Sequence, residues 1–148
     1  MREINEIVLH CSATIEGKDY TVSDIRNWHL GRGYKDIGYH YVIYRDGTIN
    51  IGRSINIAGA HTSGHNANSI GICYIGGVAK DEKTPKDTRT PEQRFALLRL
   101  VKCMMKHFEI PIEKVKGHYE YAAKACPSFN MEEFKKDLLL YIENDKNN

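Results

Sequence analysis

Short apolar runs separated by polar segments predict a sheet whose strands are interleaved with helices. Ile7-Val8-Leu9 has the composition of a short buried strand, and it delivers His10-Cys11-Ser12 at its C-terminal end. The run from residue 69 to residue 75 is apolar enough for a central strand, and Gly76-Gly77 ends it. Residues 112–116 predict one more short strand that leads back into the sheet.

Two β-rich runs around an Asp-Gly turn predict a hairpin. Residues 40–44 and 48–53 flank Arg45-Asp46-Gly47, and Asp-Gly is a strong hairpin signal. His40 stands between two tyrosines, so strand alternation predicts the tyrosines on one face and the histidine on the other. A hairpin joined to parallel strands makes the expected sheet a mixed one.

Three N-terminal capping boxes predict three helices. The box at residues 21–24 opens a helix that Gly31 or Gly33 stops, and Thr90-Pro91-Glu92-Gln93 opens a second helix that runs to about residue 108. Its expected apolar stripe consists of Phe95, Leu98, Val101, Met105 and Phe108. The third box, at residues 130–133, opens a terminal helix with Phe134, Leu138, Tyr141 and Ile142 on its apolar face.

The remaining segments predict loops around a single folded unit. Residues 78–89 are polar and aperiodic, which indicates an exposed loop, and residues 145–148 form a polar tail. The 148 residues, 41% of them hydrophobic, suffice for one core. We therefore expect one domain over residues 1–148, with its core from about residue 4 to residue 143 and an α/β fold.

Charge and hydropathy narrow the class of protein. A formal net charge of +2 and a pI near 8.3 fall well short of a nucleic-acid-binding footprint, so we expect no nucleic acid partner. No apolar stretch approaches the roughly 20 residues that span a bilayer. Residues 1–6 lead into only a short apolar run, so we expect no signal peptide, a protein that is cytoplasmic as synthesised, and a monomer.

The four cysteines lack the spacing of a disulfide framework, so reduced thiols are the expectation. Cys73 and Cys103 stand in apolar runs and are expected to be packing residues. Cys126 differs because His118 and Lys124 precede it within a short segment that Pro127 ends. Imidazole and thiolate both suit zinc, and a catalytic zinc needs three protein ligands and one open position.

The sequence offers several histidines for the third ligand. His61 and His65 have the spacing of helical ligands, but Gly59 and Gly64 make their segment a loop. Histidines at positions 29 and 107 fall in predicted helices, where a solvated or capping role is expected. His10 has the most rigid placement, at the end of a buried strand.

Six short motifs, in order along residues 7–130, resemble those of the zinc-dependent N-acetylmuramoyl-L-alanine amidases. They are His10-Cys11-Ser12-Ala13-Thr14, Gly38-Tyr39-His40-Tyr41, Arg45-Asp46-Gly47-Thr48, Gly59-Ala60-His61, Asn68-Ser69-Ile70-Gly71-Ile72 and Lys124-Ala125-Cys126-Pro127-Ser128-Phe129. The resemblance is to the phage T7 lysozyme-type branch, to which animal peptidoglycan recognition proteins are related. It implies a mixed sheet with helices on both faces.

The resemblance also implies residue roles and a reaction. His10, His118 and Cys126 match the family's zinc ligands, for one zinc ion, and Tyr39 and Lys124 match its catalytic tyrosine and lysine. His61, Asn66, Asn68 and Ser69 match the segment that lines the substrate groove. The implied substrate is peptidoglycan, cut between the lactyl group of N-acetylmuramic acid and L-alanine, as in the endolysins of phages, prophages or other mobile elements.

Two other readings of the same residues remain open. Some related proteins bind peptidoglycan without cutting it when the cysteine ligand is absent, but Cys126 is present here. A structural zinc or thiol site would close with four protein ligands, and Cys11 should point away from His10 on the strand. The cytoplasmic recycling amidases carry aspartate in place of this cysteine and a glutamate with no counterpart here, so a recycling role is disfavoured.

Overall fold

The computed structural model describes residues 1–146 and is built on a five-stranded sheet. In chain order the strands are β1 (Glu6–Cys11), β2 (Thr14–Ile15), β3 (Tyr41–Ile43), β4 (Ile49–Ile51), β5 (Ser69–Tyr74), β6 (Gly77–Val78) and β7 (Val115–Gly117). The helices are α1 (Val22–Gly31), α2 (Pro91–Phe108) and α3 (Met131–Lys146). Two short 3-10 turns occupy Ile112–Lys114 and His118–Glu120.

The main sheet has the order β4-β3-β5-β1-β7, with β5 in the centre. β3 and β4 pair antiparallel through the predicted turn, in which Gly47 adopts a left-handed φ of +86°. The other three pairings are parallel. The prediction of a mixed sheet is confirmed.

Side-chain alternation along the strands builds two hydrophobic layers. Ile7 and Leu9 of β1 pack with Ile70 and Ile72 of β5 in the larger core, which α2 and α3 cover with Leu97, Val101, Phe134 and Leu138. On the opposite face, Ile25 of α1 packs against Ile37, Val42 and Ile75. Helices therefore cover both faces, and His10 projects to the α1 side because it alternates with Leu9 and Cys11.

The predicted caps form at all three helices. Thr21 and Thr90 each accept a hydrogen bond from the backbone of the third helical residue, and the reciprocal bonds complete both capping boxes. At α3 the Asn130 side chain accepts a hydrogen bond from the Glu133 N–H. Among residues 1–146, no helix combines the length and the apolar character needed to cross a bilayer.

Several local predictions are wrong. α2 buries Gln93, Ala96, Leu97, Leu100 and Val101. Leu98, Met105 and Phe108 of the expected stripe also pack against the core, but Phe95 is 56% exposed because the buried face extends toward Gln93 and Ala96 instead. Residues 112–114 form a 3-10 turn, so β7 begins only at Val115. The segment predicted as a loop starts in β6, which pairs with β2.

The C-terminal tail and the first strand of the hairpin also differ from the prediction. Asp145 and Lys146 continue α3, and the rest of the predicted tail lies outside the described residues. The regular strand starts only at Tyr41, so Tyr39 escapes the expected alternation. It packs on the α1 side, while Tyr41 packs against the larger core.

Candidate active site

Three side chains with metal-binding atoms converge at the C-terminal edge of β1 and β7. One donor atom each of His10, His118 and Cys126 lies within 4.8 Å of the other two. His10 is the last residue but one of β1, and His118 directly follows β7, the parallel neighbour of β1. The parallel pairing therefore delivers both histidines to the same edge of the sheet.

Hydrogen bonds to the backbone of Cys126 and Pro127 hold the cysteine at this edge. Its carbonyl accepts a hydrogen bond from the Tyr119 N–H at 2.8 Å, and the next carbonyl, of Pro127, accepts one from the buried Tyr74 hydroxyl at 2.7 Å. The Cys126 Sγ accepts the Cys11 N–H at 3.2 Å. It lies 3.7 Å from His10 Nδ1, so this imidazole nitrogen faces the thiol.

The electrostatics of the cluster suit a bound cation. Burial holds the pKa of His10 well below its ordinary value, and the nearby His61, His118 and Lys124 lower it further. Burial, followed by Lys124, also lowers the pKa of His118. Both imidazoles are therefore neutral at neutral pH, which leaves a nitrogen lone pair free for a metal.

The thiol of Cys126 needs a cation to lose its proton. Contact with the Cys11 thiol and burial raise the pKa of Cys126. A metal ion that displaces this proton gains a thiolate ligand, and the Cys11 N–H already points at the sulfur. Two nitrogens and one sulfur form a donor set that fits zinc and leaves a tetrahedral ion one open position.

A groove of about 440 Å³ opens beside this cluster. His118 and the exposed Lys124 line one side, and the loop from Ala60 to Asn66 lines the other. A depression of about 520 Å³ between α2 and α3 is larger, but it contains none of the predicted site residues. The groove is the better candidate for substrate because it borders the metal-binding atoms.

Tyr39 packs against the same cluster from the α1 side. Its ring centroid lies 5.1 Å from that of His10 and 5.4 Å from that of His29. Burial raises the pKa of the Tyr39 hydroxyl well above its ordinary value, so the hydroxyl stays protonated and can donate a hydrogen bond. His29, for which a solvated or capping role was expected, is buried and accepts the Gly38 N–H at 2.8 Å, which fixes the residue before Tyr39.

The four residues predicted to line the groove divide into two pairs. His61 and Asn66 do line it, and Asn66 Oδ1 accepts the backbone N–H groups of His61 and Thr62. Ser69 is fully buried at the start of β5. Asn68 donates to the Glu3 carbonyl and borders a separate depression of about 170 Å³. The structure thus places neither Asn68 nor Ser69 on the groove.

Some participants in the site were not predicted. Tyr34 and Tyr121 also line the groove, and no motif around them indicated this. Thr62 Oγ1 lies 2.9 Å from His61 Nδ1 and 3.3 Å from His10 Nε2. The position of Thr62 directly after His61 was its only signal in the sequence.

Residues 1–129 match the N-acetylmuramoyl-L-alanine amidase family, and the chain belongs to that family. Its activity is that of an N-acetylmuramoyl-L-alanine amidase. The endolysin of Escherichia phage T7 is 41% identical over 84% of this chain and 81% of its own length.

Solved structures of amidases and recognition proteins share the fold. The amidase LysC from Clostridium intestinale is 33% identical, with a TM-score of 0.78 over 93% of this chain and 86% of that one. Drosophila PGRP-LB is 28% identical, with a TM-score of 0.71 over 86% of this chain and 76% of that one. The fold prediction is therefore confirmed.

Proposed function

We propose that the chain is a zinc-dependent endolysin that opens peptidoglycan at the amide between N-acetylmuramic acid and L-alanine. His10, His118 and Cys126 would hold one zinc ion. The observation that carries this proposal is the convergence of their donor atoms within 4.8 Å beside an open groove. The chemistry of the family and the names of its phage members support it.

When bound, zinc supplies a water activated near neutral pH and a Lewis acid for the scissile carbonyl. The chain's own residues orient the substrate and stabilise charge. The muropeptide lies in the groove between the 60–66 loop and the segment that carries His118 and Lys124. The Lys124 ammonium faces this groove and stabilises the negative charge that develops on the carbonyl oxygen.

Tyr39 is proposed as a second donor. Its hydroxyl remains protonated because burial raises its pKa, so it donates a hydrogen bond to the attacking water or to the carbonyl oxygen. Removal of one such donor lowers the rate by about 100-fold to 1,000-fold, or about 3 to 4 kcal/mol.

Two substitutions test these roles. Tyr39→Phe and Lys124→Met should each lower kcat by about 100-fold or more while the zinc content stays at the wild-type level. Full activity in either variant contradicts the role of that residue. A variant that also loses its zinc assigns the residue to the architecture of the site.

A binding module that recognises peptidoglycan without cutting it is the second candidate function. Drosophila PGRP-LB shares the fold, and its name describes recognition. The presence of both histidines and Cys126 favours the enzyme. The two functions separate when the purified protein is incubated with cell walls and zinc, because only the enzyme releases new L-alanine amino termini.

The biological setting is also a proposal. The relatives from phages T7, K11 and T3 are endolysins, and we place this chain in the same role, acting on the cell wall at host lysis. Expression in a bacterial host together with a membrane-permeabilising protein should cause lysis. Expression alone should cause little, and rapid lysis without permeabilisation would contradict this setting.

A further inference from the structure

His61 contacts the proposed metal ligand His10 directly. His61 Nδ1 lies 2.8 Å from His10 Nε2, and both imidazoles are almost fully buried. The other nitrogen of His10, Nδ1, faces the Cys126 sulfur. The two nitrogens of His10 therefore point in different directions, one toward the metal cluster and one toward His61.

This arrangement fixes the tautomer of His10. A lone pair on Nδ1 requires the proton on Nε2, and the nearest acceptor for that proton is His61 Nδ1 at 2.8 Å, since Thr62 Oγ1 lies farther away at 3.3 Å. His61 in turn carries its proton on Nε2, which lies 3.2 Å from the hydroxyl of the fully buried Ser69. The result is a hydrogen-bond chain from Ser69 through His61 to His10.

The sequence leaves room for the His61 ring by placing glycines on both sides. A Cβ at Gly71, in the central strand, would lie 2.5 Å from His61 Cδ2, and a Cβ at Gly59 would lie 2.7 Å from the same atom. Any larger residue at either position would displace the imidazole. The imidazole ring of His61 is therefore packed closely against Gly59 and Gly71.

The loop that carries His61 is anchored independently. The His40 Nε2–H donates to the Ile57 carbonyl at 2.8 Å, and His40 Nδ1 accepts the Gly71 N–H at 3.0 Å. Asn66 holds the backbone of His61 from the other side. These contacts give the imidazole one orientation before any ligand binds.

We propose that His61 is a positioning residue for the metal site, which holds His10 in the tautomer and orientation that ligation through Nδ1 requires. This inference rests on the proposed zinc site. It assigns His61 a role in positioning the metal ligand His10, in addition to its place on the substrate groove. Loss of a hydrogen-bond partner of a ligating histidine typically lowers metal affinity by about 10-fold to 100-fold.

The test measures zinc affinity by competition with a chromophoric chelator in His61→Leu, His61→Asn and the control His107→Leu. Leucine removes the nearer acceptor and leaves only Thr62 Oγ1, 3.3 Å from His10 Nε2, whereas the asparagine amide oxygen can still accept from His10 Nε2–H. His107 is exposed on α2 and serves as a control for the loss of a histidine. We expect about 10-fold to 100-fold weaker binding for leucine, substantial rescue by asparagine and no change in the control.

Several outcomes overturn the inference. Wild-type zinc affinity in His61→Leu with a raised KM would limit His61 to substrate contact. Equal losses in the leucine and asparagine variants would mean that the volume of the ring matters and its acceptor does not. Ser69→Ala supplies a milder probe if His61→Leu does not fold, and it should weaken zinc binding by a smaller factor.

Failure of the proposed function gives a different result. A wild-type protein that binds no zinc and still cuts peptidoglycan would remove the zinc site itself. If the wild-type protein binds zinc and His61→Leu binds it with unchanged affinity, only the positioning role of His61 is contradicted.

Discussion

Gly71→Ala adds one methyl group in the central strand and should weaken a metal site that it does not touch. The new Cβ would lie 2.5 Å, 2.7 Å and 2.8 Å from three atoms of the His61 ring. Carbon atoms in contact normally lie about 3.5 to 4.0 Å apart, so the ring must move by about 1 Å. That shift breaks the hydrogen bond to His10 Nε2, which is 2.8 Å long in the native arrangement.

Two contributions set the magnitude for Gly71→Ala. Overpacking of a buried site costs about 1 to 3 kcal/mol, and the lost hydrogen bond adds about 1 kcal/mol. The free energy of unfolding of the metal-free protein should therefore fall by about 2 to 4 kcal/mol. Zinc affinity should fall by about 10-fold to 100-fold because His10 loses its acceptor.

Gly31→Ala is the matched control. Gly31 lies at the end of α1, and a Cβ there would meet no atom within 4 Å, so alanine should be neutral or stabilise the protein by up to about 1 kcal/mol. Urea denaturation without metal and chelator competition measure the two effects. A Gly71→Ala variant with the stability and zinc affinity of the control would refute the reasoning.

Three further substitutions test the fold around the site. Gln93→Leu should lower the free energy of unfolding by about 2 to 4 kcal/mol in urea, because the buried Gln93 amide donates to the carbonyls of Ile43 and Ile75 and accepts the Thr90 N–H. Tyr121→Phe should cost about 1 to 3 kcal/mol in the same assay, because the Tyr121 hydroxyl donates to the buried Glu6 carboxylate; an unchanged midpoint would show that this carboxylate needs no such donor. Burial lowers the pKa of His40 to about 4, so the unfolded chain takes up this proton near pH 6.5 while the folded chain resists it. The stability contributed by neutral His40, up to about 3 kcal/mol, is present above pH 6.5 and is lost as the pH falls to 4, so the difference between metal-free wild type and His40→Gln should shrink over that range.

Local signals in the sequence were sufficient for most of the fold. The capping boxes located the helix starts, and the Asp-Gly turn located the hairpin, because these signals depend on a few neighbouring residues. The buried face of α2 was misjudged in part because it includes Gln93, a polar residue that donates to the carbonyls of Ile43 and Ile75. Only the tertiary fold reveals that such a residue has partners.

The site was predicted in part. The family resemblance indicated His10, His118 and Cys126, which the structure brings together. Asn68 and Ser69 belong to one motif at the start of β5, yet neither lines the groove. Ser69 is buried, and Asn68 borders a separate depression. The contact of His61 with His10 joins residues 51 apart in the chain, so no local pattern could reveal it.

We propose that the chain cuts the amide between N-acetylmuramic acid and L-alanine with a zinc ion held by His10, His118 and Cys126. Mass analysis of the products from a defined muropeptide tests it directly, with metal-free protein, with zinc restored and with Cys126→Ser. We predict release of the intact stem peptide with a free L-alanine amino terminus only for the zinc-restored wild type. The same products from metal-free protein, or undiminished cleavage by Cys126→Ser, would contradict the account.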